Sequence, residues 1–285
     1  MLNIQHIHFR YRAGGAKVFD NFSLRIDTGN IVGLLGKNGT GKSTLLYLIA
    51  GLLRPQQGVV EMEGIRTELR RPETLSEIFI VPEEFELPPV SLRRYVETNR
   101  PFYPRFSEEV LRRSLEDFEL TTDIDLGSLS MGQRKKAFMS FALATNTRLL
   151  LMDEPTNGLD IPSKAQFRRV VSAQMSDERT IIVSTHQVHD VETLIDRVVM
   201  IEGNRLLADA STARICELLS FEQRPLGADT SDALYAEPSI VGTAVIAPGN
   251  GLQHTPLNLE LLFNALTRQP DLLQAAQSSD NVSHL

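Results

Sequence analysis

The sequence predicts an α/β protein built on a mostly parallel sheet, and three observations lead there. Residues 31–35 form a short apolar run followed by a glycine-rich loop and then a wide helical face. Residues 149–152 form a second apolar run, which ends in two adjacent carboxylates. Further apolar runs at 181–183 and 198–201 alternate with segments of helical spacing. Runs of this length bounded by turns are buried strands, and parallel strands joined by crossover helices are the economical arrangement.

The elements follow in order. Ile4, Ile7, Phe9 and Tyr11 are mostly spaced by two, Gly14-Gly15 supplies a turn, and 18–26 is a second strand candidate. An N-terminal antiparallel β subdomain is therefore expected, opening on a hairpin. After 31–35, residues Leu45, Leu46, Leu48, Ile49 and Ala50 face one way on a helix, giving strand, loop, helix. Residues 78–81 read as a further strand. From about 87 to 145 arginines accumulate (Arg93, Arg94, Arg100, Arg105, Arg112, Arg113), and Val110, Leu111, Leu115 and Phe118 keep helical spacing. This stretch is expected to be an inserted α-helical subdomain. The α/β alternation then returns, with a helix carrying Phe167, Val170, Val171 and Met175 between strands. Residues 1–215 thus read as one α/β domain. Residues 216–285 read as a small C-terminal extension, with turns at 225–227 and 248–251, a strand candidate at 240–247 and a helix candidate at about 257–266.

Composition bounds the function. The 285 residues are 42% hydrophobic and 23% charged, enough to bury a sizeable core. A net charge of −7 argues against a sequence-independent nucleic-acid binder, which needs a broad basic face. The acidity is concentrated: residues 221–285 hold two arginines against seven carboxylates, or −5, leaving −2 for the first 220 residues. The single Cys216 makes no internal disulfide and no thiolate zinc site, which fits a reducing, cytosolic setting. Residues 1–11 lack a signal-peptide core, and no apolar run approaches a membrane span. Attachment to a membrane partner stays open.

Gly36-Lys37-Asn38-Gly39-Thr40-Gly41-Lys42-Ser43 satisfies G-x-x-x-x-G-K-[ST] between a buried strand and a helix. Backbone N–H groups of such a loop wrap phosphates, and the helix adds its positive end. Lys42 is expected to bridge the β- and γ-phosphates and Ser43 to ligate Mg²⁺. The ATP-contacting set is Gly36, Asn38, Gly39, Thr40, Gly41, Lys42, Ser43 and Thr44. Asp153 and Glu154 close the strand at 149–152, at the sheet edge where ligands collect. Asp153 is expected to hold Mg²⁺ through water and Glu154 to act as general base. Ser130, in Leu129-Ser130-Met131-Gly132-Gln133, is an N-cap candidate, and a helix start with a hydroxyl and a glycine is also an anion site.

Taken in order, the phosphate loop, the Leu-Ser-x-Gly-Gln string and Asp153-Glu154-Pro155-Thr156 running into Gly158-Leu159-Asp160 resemble the ATP-binding subunit of an ABC transporter, over roughly residues 1–215. The resemblance implies a P-loop NTPase fold of ABC type and hydrolysis of ATP with Mg²⁺. It implies that Tyr11 stacks on adenine, and that Ser130, Gly132 and Gln133 contact the γ-phosphate held by an opposite subunit. The active unit is then a head-to-tail dimer with a second copy or a homologous subunit, and Asp160 lies in the loop crossing that interface. His186, in Ser184-Thr185-His186, matches the histidine that binds the γ-phosphate and orients water; a metal site with His189 lacks an evident third ligand. The implied partner is a membrane-spanning permease, which places the chain on the inner face of the cell membrane, and no nucleic acid is expected.

One position departs from the family. Where ABC subunits carry a Mg²⁺-ligating glutamine, the strand at 78–81 runs into Pro82-Glu83-Glu84, so Glu83 takes that place. A carboxylate keeps a metal-binding oxygen but loses the amide donor and adds negative charge near phosphates. Arg134-Lys135-Lys136 reads as a solvated helix face, since no aromatic platform accompanies it. Tyr103-Pro104, the run 106–109, the Gly-Leu-Asp loop and the helix candidate at 257–263 resemble the export-type branch. An ABC ATPase acting on ribosomes or DNA is the competing class; it calls for two cassettes in one chain or a long coiled-coil insertion, and neither is read here. A GTPase calls for Asn-Lys-x-Asp, which the sequence lacks.

Overall fold

In the computed structural model, which describes residues 1–249 and 255–283, β1 (Leu2–Phe9) and β2 (Phe19–Ile26) form the expected hairpin, with Leu2 opposite Ile26 and Phe9 opposite Phe19. Leu2, Ile4, Ile7 and Phe9 are buried beneath it. β3 (Ile31–Leu35) is buried along its whole length and passes through the glycine loop into α1 (Lys42–Ile49). The chain then returns to the first sheet as β4 (Gln57–Met62) and β5 (Ile65–Arg66), in the order β2-β1-β4-β5. These two strands were not read from the sequence, because Gln57, Glu61 and Arg66 interrupt their apolar pattern.

A short α2 (Pro72–Leu75) leads into β6 (Ile78–Val81). The inserted region carries α3 (Leu92–Asn99), α4 (Glu108–Asp117) and α5 (Met131–Ala144). Ser91, Ser107 and Ser130 cap these helices by accepting from backbone N–H groups of their first turns. Phe141 of α5 is the hub of an aromatic cluster with Phe79, Tyr95, Tyr103 and Phe106, at centroid distances of 5.8, 5.1, 6.2 and 5.5 Å. Because Phe79 belongs to β6, this cluster fastens the helices to the sheet.

The main sheet is completed by β7 (Leu149–Asp153), α6 (Ile161–Ser172), β8 (Thr180–Thr185), β9 (Arg197–Glu202) and β10 (Arg205–Ser211). Its order is β10-β9-β3-β8-β7-β6, parallel except at the β10 edge. Met175 lies beyond the end of α6. α7 (Thr212–Leu218) then leads to a small antiparallel sheet of β11 (Leu219–Arg224), β12 (Tyr235–Ser239) and β13 (Gly242–Pro248), followed by α8 (Leu259–Arg268) and α9 (Leu272–Ser283). The strand expected at 240–247 starts two residues later. Ile240 and Val241, 96% and 78% exposed, form the hairpin tip instead, because β12 and β13 pair only up to Ser239 and Gly242. Of the turn expected at 248–251, Asn250 and Gly251 lie outside the described residues.

The extension shares the core of the main sheet. Leu259, Leu261, Leu262, Ala265 and Leu266 of α8 are buried in the same apolar cluster as Val188, Val191 and Ile195. Leu259 N donates to Glu192 Oε1 at 2.6 Å, and His189 Nε2 lies 2.6 Å from Glu260 Oε2. Among the described residues, no helix is long and apolar enough to cross a membrane.

Candidate active site

Four parallel strands, β3, β6, β7 and β8, end on the same edge of the sheet. Site residues lie at or just beyond each strand end: the glycine loop, Glu83, Asp153-Glu154 and His186. Parallel topology places these segments together although up to 150 residues separate them in the chain. A cleft of about 510 Å³ is lined by Tyr11, Asn38, Gly39, Gly41, Lys42, Ser43, Thr44, Glu83, Glu154 and His186, with Val18 and Asn157.

The glycine loop is held in shape by its own contacts. A Cβ on Gly36 would lie 2.5 Å from Ile201 O and 2.6 Å from Thr40 Oγ1, so no larger residue fits. Thr40 Oγ1 donates to Lys37 O at 2.9 Å. Lys42, 5% exposed, folds over the loop and donates from Nζ to Gly36 O and Lys37 O at 2.7 and 3.1 Å. Burial pushes its pKa down, and the charges of Glu154 and Asp153 pull it partly back. Gly41, at φ +102°, precedes α1, and no side chain caps that helix. The positive end of α1 is thus available to a phosphate.

Asp153 is 1% exposed and accepts from the hydroxyl of Ser184, with the Ser43 hydroxyl nearby. Burial raises its pKa, and the two hydroxyls offset part of that rise. Glu154 is 5% exposed and sits at φ +45°, a left-handed conformation that non-glycine residues seldom adopt. Its position is set from several sides. Oε2 accepts from Thr185 Oγ1 at 3.0 Å, and Oε1 accepts from His186 N at 3.0 Å and Nδ1 at 2.8 Å. Lys42 Nζ lies 3.7 Å from Oε1. Glu83 Oε1 accepts from Asn157 Nδ2 at 3.0 Å. Tyr11 stands at the rim, 62% exposed, with its hydroxyl 2.9 Å from Thr44 Oγ1 and its ring edge-on to Phe9.

Ser130, Gly132, Gln133 and Asp160 do not line this cleft. Ser130 and Gln133 form a reciprocal capping box at the start of α5. Apart from its chain neighbours and its own helix backbone, nothing lies within 4 Å of where a Gly132 Cβ would be. Asp160 caps α6, its Oδ1 accepting from Ser163 N at 2.9 Å.

The basic trio is not a solvated face. Lys135 is 5% exposed and donates to two main-chain carbonyls. Lys136 reaches Gln166 and the ring of Phe118, and Arg134 donates to Leu129 O. Three successive residues cannot share one helical face, and here all three side chains turn back onto the protein. Asn157, Ser184 and Thr185 are site residues to which the sequence reading assigned no role. The Ser-Thr pair immediately before His186 was the available signal, since β8 aligns Ser184 with Asp153. Among the described residues no group of three or more His, Cys, Asp or Glu side chains is placed to hold a metal ion.

Fold and cleft together define a P-loop NTPase. The ABC transporter family matches residues 19–157. Over 201 residues the chain is 31% identical to the ABC transporter ATP-binding protein NatA of Bacillus subtilis, covering 67% of this chain and 80% of that protein. It is 33% identical over 210 residues to the methionine import ATP-binding protein MetN of Carboxydothermus hydrogenoformans, covering 68% of this chain and 60% of that one. The Nod factor export ATP-binding protein I of Burkholderia lata matches at 26% over 273 residues, or 93% of this chain and 86% of that protein. A dimeric ATP-binding cassette solved in a post-hydrolysis state with ADP and Pi superposes at a TM-score of 0.64, with 25% identity, over 74% of this chain and 98% of that one. The chain belongs to the family of ABC transporter ATP-binding proteins, and its activity is ATP hydrolysis.

Proposed function

We propose that this ATPase works as one half of a head-to-tail pair, closes on MgATP and drives a separate membrane-spanning permease of the export type. Residues 1–215 are the motor, with its helical subdomain at about 87–145, and 216–285 are an extension of the motor. The observation that carries this reading is a site split in two. The cleft holds Lys42, Glu154 and His186, whereas Ser130, Gly132 and Gln133 lie at a separate, accessible helix start. Beside that start, Met131 and Ile161 are 76% and 84% exposed, which supports burial of this face, with Asp160, against a second subunit.

Within the cleft, the loop N–H groups, the first turn of α1 and Lys42 bind the phosphates, with contacts from Gly36, Asn38, Gly39, Thr40, Gly41, Ser43 and Thr44. Tyr11 at the rim receives the adenine. The donor set suits Mg²⁺: Ser43, Asp153 and Glu83 offer hard oxygen ligands, and Asp153 is a buried carboxylate steadied only partly by hydroxyls. Bound Mg²⁺ would supply charge neutralisation at the phosphates. Glu154 accepts a proton from the attacking water. With Glu154 as acceptor, Nδ1 of His186 carries a proton, so donation from Nε2 to the γ-phosphate requires the imidazolium form.

An apolar groove of about 800 Å³ supports the permease. It is lined by Leu52, Leu75, Phe79 and Phe102 among others, with Leu52 and Phe102 52% and 67% exposed at its edge. Relatives named for export and for import both match, so the export assignment rests on the resemblance at 103–109 and 257–263. The test is detergent solubilisation and pull-down of the native protein. A polytopic membrane protein is expected in the eluate, placing the chain at the inner face of the membrane. Salt-sensitive recovery of RNA or DNA without a membrane protein would refute the reading.

A further inference from the structure

Lys135 occupies a place that the roles above leave unused. It sits on α5, five residues after Ser130, and its ammonium points away from solvent and against the 154–157 turn, which carries two of the cleft's lining residues. Nζ donates to Glu154 O at 3.0 Å and to Asn157 O at 2.8 Å. Those two carbonyls bound one tight turn, closed by Asn157 N donating to Glu154 O at 3.1 Å. Asn157 then reaches from the turn to Glu83, donating from Nδ2. One buried cation therefore holds the backbone of the general-base candidate and, through Asn157, the side chain of a metal-ligand candidate.

The physical setting argues against an incidental contact. Burying an ammonium costs several kcal/mol unless it is well satisfied, on the order of what a domain can tolerate at one position. Lys135 meets that cost with main-chain carbonyls, and with the nearby charges of Glu83, Glu154 and Asp153. The turn it holds contains a residue at φ +45°, and a conformation of this kind persists only where its surroundings over-determine it. Both carbonyls point at the ammonium from a single turn, a geometry that a neutral apolar side chain cannot hold.

We propose that Lys135 is a positioning residue for hydrolysis: it pins the 154–157 turn to α5 so that Glu154 and Glu83 bear on one reaction centre. This rests on the roles proposed above for those two carboxylates. Lys135 itself does not line the cleft, so its loss should disturb turnover and Mg²⁺ use while leaving nucleotide binding in place.

The experiment uses the full chain as wild type, Lys135→Met and Glu154→Gln. It measures kcat and KM for MgATP, the Mg²⁺ concentration giving half-maximal turnover at fixed ATP, and affinity for a fluorescent ATP analogue in EDTA. For Lys135→Met, kcat is expected to fall by roughly 10- to 100-fold, and the Mg²⁺ requirement to rise several-fold. KM and analogue affinity are expected to stay within about threefold of wild type. If Lys135→Met does not fold, Lys135→Leu, which likewise cannot donate to the two carbonyls, is read by the same criteria. Wild-type kcat and Mg²⁺ dependence, or a loss of analogue affinity as large as the loss of kcat, overturns the proposal. Loss of turnover in Glu154→Gln with full turnover in Lys135→Met sinks the positioning role alone. Full turnover in Glu154→Gln sinks the reading beneath it.

Discussion

Glu154→Gln is expected to separate nucleotide binding from hydrolysis. The amide is nearly isosteric with the carboxylate, and its oxygen still accepts from His186 N, now 3.0 Å from Oε1. The hydrogen bond from Thr185 is retained if the hydroxyl turns to accept from the new NH₂ group. Those hydrogen bonds should therefore change stability by no more than about 1 kcal/mol. The charge effect is larger. Lys42 Nζ lies 3.7 Å from Oε1, and at an effective dielectric near 20 that pair attracts by roughly 4 kcal/mol. The carboxylate that attracts Lys42 also repels an arriving phosphate, so removing its charge should leave nucleotide affinity equal to wild type or higher. Turnover, by contrast, loses its proton acceptor, which is worth about 10²- to 10⁴-fold.

The expected outcome is an ATP-loaded species that closes and stays closed. Phosphate release measures the loss of kcat, and size-exclusion chromatography with light scattering measures mass with and without MgATP. The variant should run as a dimer in saturating MgATP and as a monomer without it. A variant that remains monomeric in saturating MgATP and hydrolyses ATP within about tenfold of wild type would refute both the assignment of Glu154 and the split-site argument.

Other substitutions probe different parts of the same structure. Phe141→Ala removes the hub of the aromatic cluster at a site 1% exposed, and urea denaturation should show a loss of about 3–5 kcal/mol; a loss below about 1 kcal/mol would mean that the cluster does not hold the helices to the sheet. Glu83→Gln restores the family's usual residue and an amide donor, so ATPase activity measured by phosphate release should be kept or raised, and a collapse of nucleotide binding would show that Glu83 is the wrong residue or has the wrong role. Asp153→Asn should stabilise the ligand-free protein at neutral pH. Burial raises the folded-state pKa of Asp153, so the penalty for its charge is present above that pKa and is relieved as pH falls through it. The thermal advantage of Asp153→Asn should therefore shrink as pH drops through the raised pKa and vanish below the unfolded value near 4. An advantage that grows on acidification would contradict the assignment.

Much of the fold was legible because its central strands are short, continuous apolar runs bounded by turns. β3, β6, β7, β8 and β9 fall where their runs predict, since strands covered on both faces need apolar residues throughout. Strands exposed on one face were harder. β4 reads Gln-Gly-Val-Val-Glu-Met, which becomes a strand only because β1 offers it a partner. β11 and β12 carry Glu222, Gln223 and Glu237 and depend on β13 in the same way. The tip at Ile240-Val241 shows the converse error, in which β-branched residues suggested strand where the hairpin had to turn.

The chemistry divides along the same line. The local order of residues was sufficient for the glycine loop, Asp153 and Glu154, because a phosphate cradle and a strand-end carboxylate are built from consecutive residues. It also carried the family resemblance and, with it, His186 and the capping string at Ser130. Tertiary structure alone decided that Glu154 is gripped by Thr185 and His186 from the neighbouring strand, that Asn157 holds Glu83, and that Lys135 is buried under the turn between them. The sequence placed Lys135 with Arg134 and Lys136 on a solvated helix face, because no aromatic platform accompanies the trio. The fold reversed this by presenting two main-chain carbonyls to a buried ammonium, contacts between segments about twenty residues apart that no local pattern encodes.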